Sequence, residues 1–254
     1  MFNPIEKHDW TATATDKSDW IVLDLETGNA PEEFIEAKIA DWKPPGNISK
    51  PETIAAKREE AKQKIREKSA LLDAAPILCV AVNTPQQKMI FNGMDDKQHS
   101  IEGWEVQSFG DESRMLLGLR QWLDSGTDPY TTLVGHNVCG FDLPKLRSAN
   151  IRHRLMLPHC LRIGGDEYQQ KTADTMKIYA RKFAVEGNGQ PFVTLDRVAA
   201  AFGLPRPKQN ISGSDVPAMH ERGEHLAILT YCAIDAATTA AAWELMTSTS
   251  ANLT

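Results

Sequence analysis

The run from Trp20 to Leu25 is apolar and β-branched, and it reads as a buried strand. A strand of this kind commits the chain to a sheet covered by other elements. Two carboxylates, Asp24 and Glu26, stand at its end in the segment Ile21-Val-Leu-Asp-Leu-Glu-Thr-Gly28. Side chains alternate along a strand, so both emerge on one face. An unpaired carboxylate at the end of a core strand is costly, and a divalent cation offsets that cost. Function, more than folding, would keep both there.

At 254 residues, 41% of them hydrophobic, the chain is long enough for one large α/β domain with a full core. The reading places a loose arm at 1–18, the domain at 19–247 and a tail at 248–254. No segment reaches the ~18 consecutive apolar residues that a membrane helix needs. The first eight residues lack the layout of a signal peptide. A cytoplasmic protein with no membrane partner is expected. Cys79, Cys139, Cys160 and Cys232 form no Cys-x-x-Cys pair, which argues against a zinc site or a disulfide framework; each is most simply a small apolar residue.

A net charge of −6 ordinarily argues against a nucleic-acid partner. The distribution softens this. Residues 145–182 carry nine Lys/Arg against three acids and residues 50–68 carry seven against four, local balances of +6 and +3 that leave −15 for the rest. Such asymmetry permits a basic track beside an acidic pocket, although such runs are more often solvated faces.

Between the first strand and the next, Ile77–Val82, lies a stretch of about fifty residues. Within it Ser49-Lys-Pro-Glu52 resembles a capping box opening a helix to about Leu72, with a thin apolar stripe of Ile54, Ala61, Ile65 and Leu72. The segment from about 29 to 75 reads as an insertion lying over the core. Strands at Lys88–Phe91 and Trp104–Phe109 suggest, with Ile77–Val82, an antiparallel unit. Asp111 opens a helix with a 3.6 period at Met115, Leu116, Leu119, Trp122 and Leu123. The strand Thr131–Gly135, reached through that helix, should lie parallel to the first. A short helix from Leu195 ends at Gly203, and a last helix runs from about Arg222 to Met246.

The strand ending at Gly135 leads into His136-Asn137-Val-Cys-Gly-Phe141-Asp142, which places Asp142 just beyond a core strand near the first turn of a helix. There it is either a functional carboxylate or a complement to the helix dipole. Asn137 can hold the loop backbone as easily as touch a ligand. His136 is expected to be a hydrogen-bonded structural residue. In the last helix Tyr231 and Asp235 are four apart and share a face. Leu226, Leu229, Ala233, Ala236, Ala240 and Trp243 form a separate stripe, so the pair should point away from the packed side.

Together Asp24-Leu-Glu26, Asn137-Val-Cys-Gly-Phe-Asp142 and Tyr231-Cys-Ala-Ile-Asp235 resemble the DEDD superfamily of 3′-to-5′ exonucleases. The Tyr-x-x-x-Asp spacing resembles its tyrosine branch. Thr194–Pro205 and Ile211–Val216 look like the exonuclease domains related to family B DNA polymerase proofreading, here free-standing. Asp174, in Ala-Asp-Thr-Met, matches an acidic position often seen in such domains and stays outside the catalytic four.

The resemblance implies a ribonuclease H-like, DnaQ-like α/β fold with a mixed sheet of about five strands flanked by helices. It implies two divalent ions, Mg²⁺ or Mn²⁺, since the ligands are all hard oxygens. In that mapping Asp24 bridges both ions, Glu26 and Asp235 complete the first, and Asp142 holds the second. Tyr231 positions the attacking water, its phenol being a poor general base near neutrality. Leu25 and Thr27 flank the terminal nucleotide, and Asn137 and Phe141 are candidates for contacting or supporting the strand. The expected substrate is a single-stranded DNA 3′ end, released as nucleoside 5′-monophosphates. RNA trimming by the same site and a non-catalytic binding module are the alternatives, and the insertion is a candidate dock for a replication or recombination partner.

Overall fold

The computed structural model describes residues 18–128, 130–162, 171–184, 192–206 and 211–251. Most of the expected arm, the end of the expected tail, and Asp166 and Glu167 of the basic run lie outside the described residues.

In chain order the elements are β1 (Trp20–Thr27), α1 (Glu32–Ala40), α2 (Pro51–Glu67), β2 (Ile77–Asn83), β3 (Lys88–Asn92), β4 (Glu105–Ser108), α3 (Glu112–Gly126), β5 (Thr132–Gly135), α4 (Asp142–Arg152), β6 (Thr172–Asp174), α5 (Thr175–Lys182), α6 (Leu195–Ala201), α7 (Val216–Glu221) and α8 (His225–Ala251). The strands form one mixed sheet in the order β4-β3-β2-β1-β5-β6. That is one strand more than the expected five: β6 has only three residues, too few to show a period.

β1 lies inside the sheet, antiparallel to β2 and parallel to β5 as expected. Both its faces are covered. Ile21, Leu23 and Leu25 pack with Met115, Leu119 and Trp122 of α3 and Leu143 and Leu146 of α4. Val22 packs on the other side with Ala81, Val134 and the residues of α8. Burial on both faces explains why β1 reads as an almost continuous apolar run, and why its two carboxylates stand out.

The expected antiparallel unit needs correction. β2 and β3 are antiparallel, but β3 and β4 are parallel. The twelve residues between them are long enough for a crossover. That crossover carries Met94, Ile101 and Trp104 against the α8 side of the core.

α3 begins as expected, with the Asp111 side chain accepting from the Arg114 N–H, and its five periodic apolar residues are all buried. The capping box before α2 does not form: Lys50 occupies the N-cap, no side chain caps the helix, and Pro51 opens it. Nor does α2 lie over the core, for none of its residues is buried. The segment between β1 and β2 instead has a small cluster of its own, Ala30, Ile35, Ile39 and Ala75 with Ile65 and Leu72 against it.

Gly135 ends β5 where space is tightest. A Cβ there would lie 2.6 Å from the Val138 Cβ and 2.9 Å from the backbone oxygen of Leu23. Both are rigid neighbours, so Gly135→Ala is expected to cost about 1–3 kcal/mol. At this chain length that lowers Tm by roughly 2–12 °C. A thermal melt within 1 °C of wild type would show that the loop absorbs the methyl group.

Candidate metal and catalytic site

Three parallel strands, β1, β5 and β6, end on the same side of the sheet, and the chemistry-bearing residues gather there. Parallel strands leave a crevice at their carboxyl ends where neighbouring connections diverge. β5 pairs with β1 only from Trp20 to Val22, so the rest of β1 runs past it. The pairing of β1 with β2 also shifts register between Glu26 and Thr27, an irregularity of the kind that re-aims side chains beside functional sites.

Asp24 and Glu26 leave β1 on its α8 side and meet Asp235. One oxygen from each of the three carboxylates lies within 4.8 Å of the others. Two full charges at that distance repel by on the order of 3 kcal/mol at an effective dielectric of about 20. That exceeds the net worth of an ordinary hydrogen bond, roughly 1 kcal/mol. Burial, with charge repulsion from Asp235 and Asp142, holds the Asp24 carboxyl well above its usual range. Burial and then Asp24 do the same to Glu26. Among the described residues the buried Oδ2 of Asp24 has no hydrogen-bond partner. A divalent ion suits such a set, because all its donors are hard oxygens and its excess is negative.

Asp142 is the first residue of α4 and is buried, but it does not join the cluster of three. It stands close enough for its charge to raise both Asp24 and Glu26. Burial pushes its carboxyl up to about 7, with backbone N–H hydrogen bonds, including that of Leu25, pulling the other way. Asp142 therefore sits at the strand edge that β5 leaves open.

α8 brings Tyr231 and Asp235 to β1 differently from the expected geometry. Both are buried, 5% and 8% exposed. Cys232, between them, donates its thiol to the Asp24 carbonyl at 3.5 Å. The pair therefore belongs to a face that packs on the sheet together with Leu229, Ala233, Ala236 and Ala240 of the expected stripe, while Leu226 of that stripe is 48% exposed. A helix that is apolar nearly all round gives no single stripe from which to read the width of its packed face. Burial, then the charges of Asp235, Glu26 and Asp24, and a hydrogen bond to Asp235 raise the Tyr231 phenol, so it keeps its proton.

The remaining predicted residues have varied settings. Asn137 takes a left-handed backbone, φ 66°, and its carbonyl accepts from the N–H groups of Gly140 and Phe141. Its own N–H donates to Asp174 Oδ1 at 3.1 Å. Asp174 also caps α5 and pairs with Lys177, so it fixes the loop that delivers Asp142. His136 is hydrogen-bonded structurally, its ring nitrogens lying 3.1 Å from Thr175 Oγ1 and 2.6 Å from the Val193 carbonyl. Leu25 is buried in the core. Thr27 is buried too and donates to the Ala70 carbonyl. Phe141 packs partly on the core with the Lys145 ammonium 5.5 Å from its ring centre. Cys79, Cys160 and Cys232 are buried, but Cys139 is exposed.

Two features were not legible locally. Asp95 lies 2.6 Å from His225 Nδ1 and 2.8 Å from His99 Nε2, which ties the start of α8 to the crossover. Burial would raise Asp95, but hydrogen bonds from His225, His99 and Asn92 outweigh it and hold the carboxyl below its usual range. Lys145, three residues after Asp142, is buried and bonds to carbonyls 75 and 73 residues away. Spacing along the sequence gives no sign of such partners.

The basic runs are largely engaged internally. Lys57, Lys62 and Lys64 pair with Glu59 and Glu60 on their own helix, and Arg66 pairs with Glu32 and Glu36 of α1. Arg152 binds Glu112 and Arg147 the Leu161 carbonyl. Among the described residues these charges act mainly as solvated or structural groups.

Residues 82–254 match a family profile described as a predicted 3′-5′ exonuclease related to the exonuclease domain of PolB. The matched span contains Asn137, Asp142, Tyr231 and Asp235, whereas Asp24 and Glu26 precede it. No curated protein sequence matches the chain.

Proposed function

We propose that this chain, which belongs to the family of predicted 3′-5′ exonucleases related to the exonuclease domain of PolB, removes nucleoside 5′-monophosphates from single-stranded DNA 3′ ends. In this reading it is a cytoplasmic enzyme of the tyrosine branch, with a ribonuclease H-like catalytic domain at 19–247. The observation that carries the reading is the convergence of Asp24, Glu26 and Asp235 within 4.8 Å around an Asp24 oxygen that has no hydrogen-bond partner among the described residues. The first two come from β1 outside the matched span and the third from α8 inside it. Two separate parts of the chain thus complete one ligand set.

Asp24, Glu26 and Asp235 would hold one divalent ion, and Asp24 with Asp142 a second, Mg²⁺ or Mn²⁺ in each case. When bound, two such ions stabilise the attacking and leaving oxygens of an in-line phosphoryl displacement. The protein's own groups do the rest. Tyr231 stays a protonated phenol and is held by Asp235, so it orients water by hydrogen bonding and leaves the proton to other acceptors. Asp174 keeps the Asn137 loop folded so that Asp142 faces the open edge of β1.

The test is a 5′-labelled oligonucleotide supplied as matched single-stranded DNA, duplex DNA and RNA, with Mg²⁺, Mn²⁺ or EDTA. Stepwise shortening from the 3′ end, dependent on metal and fastest on single-stranded DNA, is expected. Faster RNA trimming would move the substrate assignment. Tight binding of oligonucleotide with no cleavage in either metal would leave a non-catalytic module. Tyr231→Phe is expected to lower kcat roughly ten- to a hundredfold with little change in KM, the loss of one oriented hydrogen bond at a charged centre. An unchanged kcat would remove Tyr231 from the site.

A further inference from the structure

The segment between β1 and β2 returns to the sheet through a short helical turn, Ser69–Leu71, and that turn is pinned from several sides. The Ala70 carbonyl accepts from Thr27 Oγ1 at 2.9 Å and from the Lys145 ammonium at 3.2 Å. The Leu72 carbonyl accepts from the same ammonium. Ser69, 1% exposed, donates to Asn29 Oδ1 at 2.6 Å, and Arg152 reaches the Asp73 carbonyl at 3.1 Å. Burying an ammonium is costly unless its donors are used, and Lys145, only 5% exposed, uses its donors on this turn.

The anchors belong to the site's own segments. Thr27 follows Glu26, and the Lys145 ammonium lies over Phe141, which precedes Asp142. Between the two anchored carbonyls stands Leu71, 60% exposed. Isolated exposed leucines are ordinary. This one is fixed on a turn clamped to two of the three carboxylate-bearing segments, β1 and α4.

We propose that the turn Ser69–Leu71 is a wall of the substrate site, that Leu71 contacts the unpaired base of the 3′-terminal nucleotide, and that Lys145 is the positioning residue that holds the turn in place. The inference rests on the exonuclease reading above and deepens it. Every base has an apolar face, so a leucine can engage the terminal base without reading sequence. An unpaired end offers that face, which favours single-stranded ends. The segment from 29 to 75 then serves substrate binding at its exit, while α1 and α2 carry its charged surface outward.

The experiment compares Leu71→Ala with wild type on a 5′-labelled DNA strand and on the same strand with an abasic 3′-terminal residue, in Mn²⁺. Leu71→Ala is expected to raise KM roughly fivefold on the normal strand, with kcat within about twofold. On the abasic strand the two proteins should have equal KM, an equality that a merely structural role would not produce. Fluorescence anisotropy of both strands in EDTA supplies a readout free of turnover and should show the same pattern. Lys145→Met should reproduce the KM change; if it fails to fold, Leu71→Ala still decides. Equal KM and equal anisotropy for folded Leu71→Ala on the normal strand, or the same loss on both strands, overturns the proposal. If wild type cleaves nothing, the exonuclease reading falls, and the anisotropy comparison alone judges the wall.

Discussion

Asp24→Asn and Asp235→Asn are each expected to abolish metal-dependent hydrolysis, by roughly a thousandfold or more, and to make the metal-free protein more stable at pH 8. The two effects have one cause. Asp24, Glu26 and Asp235 lie within 4.8 Å of one another, an arrangement that favours a bound cation and opposes folding without one. Asparagine keeps the shape and removes a charge, so it relieves repulsion of on the order of 1–3 kcal/mol. At this size the gain in Tm is about 2–12 °C. The loss of rate follows because a neutral amide is a poor ligand for a hard cation, and each factor of ten corresponds to about 1.4 kcal/mol of lost transition-state stabilisation. Cleavage assays paired with thermal melts in EDTA check both. A variant with full activity would sink the ligand assignment, and a variant destabilised at pH 8 would show that the carboxylate is needed for folding itself.

The second large effect is on the wild-type protein and links pH to metal. Asp24 and Glu26 are held well above their usual range, and burial brings Asp142 to about 7 against an ordinary value of 3.8. Between about pH 4 and 7 the folded protein therefore binds protons that the unfolded chain has released. Stability contributed by such raised carboxyls is fully present below the unfolded value and is lost as pH rises through the folded one. Metal-free protein should lose on the order of several kcal/mol between pH 5 and 8, a fall in Tm of about 10 °C. Asp95 works in the opposite sense but only in acid, since its lowered carboxyl contributes stability that disappears as pH falls through its folded value. Mn²⁺ competes with those protons, so its stabilisation should grow with pH. At a hundred times its Kd it is worth about 2.7 kcal/mol. Melts at pH 5, 6, 7 and 8, in EDTA and in Mn²⁺, give the answer. A flat or rising metal-free profile that ignores Mn²⁺ would show that the carboxylates do not form a cation site.

Much of this candidate site is legible in the sequence. Alternation along β1 puts Asp24 and Glu26 on one face whatever surrounds them, and a spacing of four puts Tyr231 and Asp235 on one side of a helix. Asp142 and Asn137 were placed by the end of a strand and the start of a helix, both local signals. The orientation of α8 was legible only in part: Leu229, Ala233, Ala236 and Ala240 pack as their stripe requires, but the buried face is wide enough to take in Tyr231 and Asp235 as well, and no stripe marks that width. The direction of β4 was out of reach: a twelve-residue connection permits a crossover, and only packing of Met94, Ile101 and Trp104 decides whether one is made.

By itself, then, the sequence determined which residues carry charge into the core and which local element presents each of them, since strand and helix periods are properties of the chain alone. Tertiary structure decided which of those charges meet. It gathered Asp24, Glu26 and Asp235, set Asp142 apart at the open edge of β1, and turned the exit at Ser69–Leu71 onto Thr27 and Lys145. The hydrogen bonds from Thr27, Lys145 and Cys232 join residues from 43 to 208 positions apart, and no local pattern encodes a distance that only packing and hydrogen bonding in the folded state can fix.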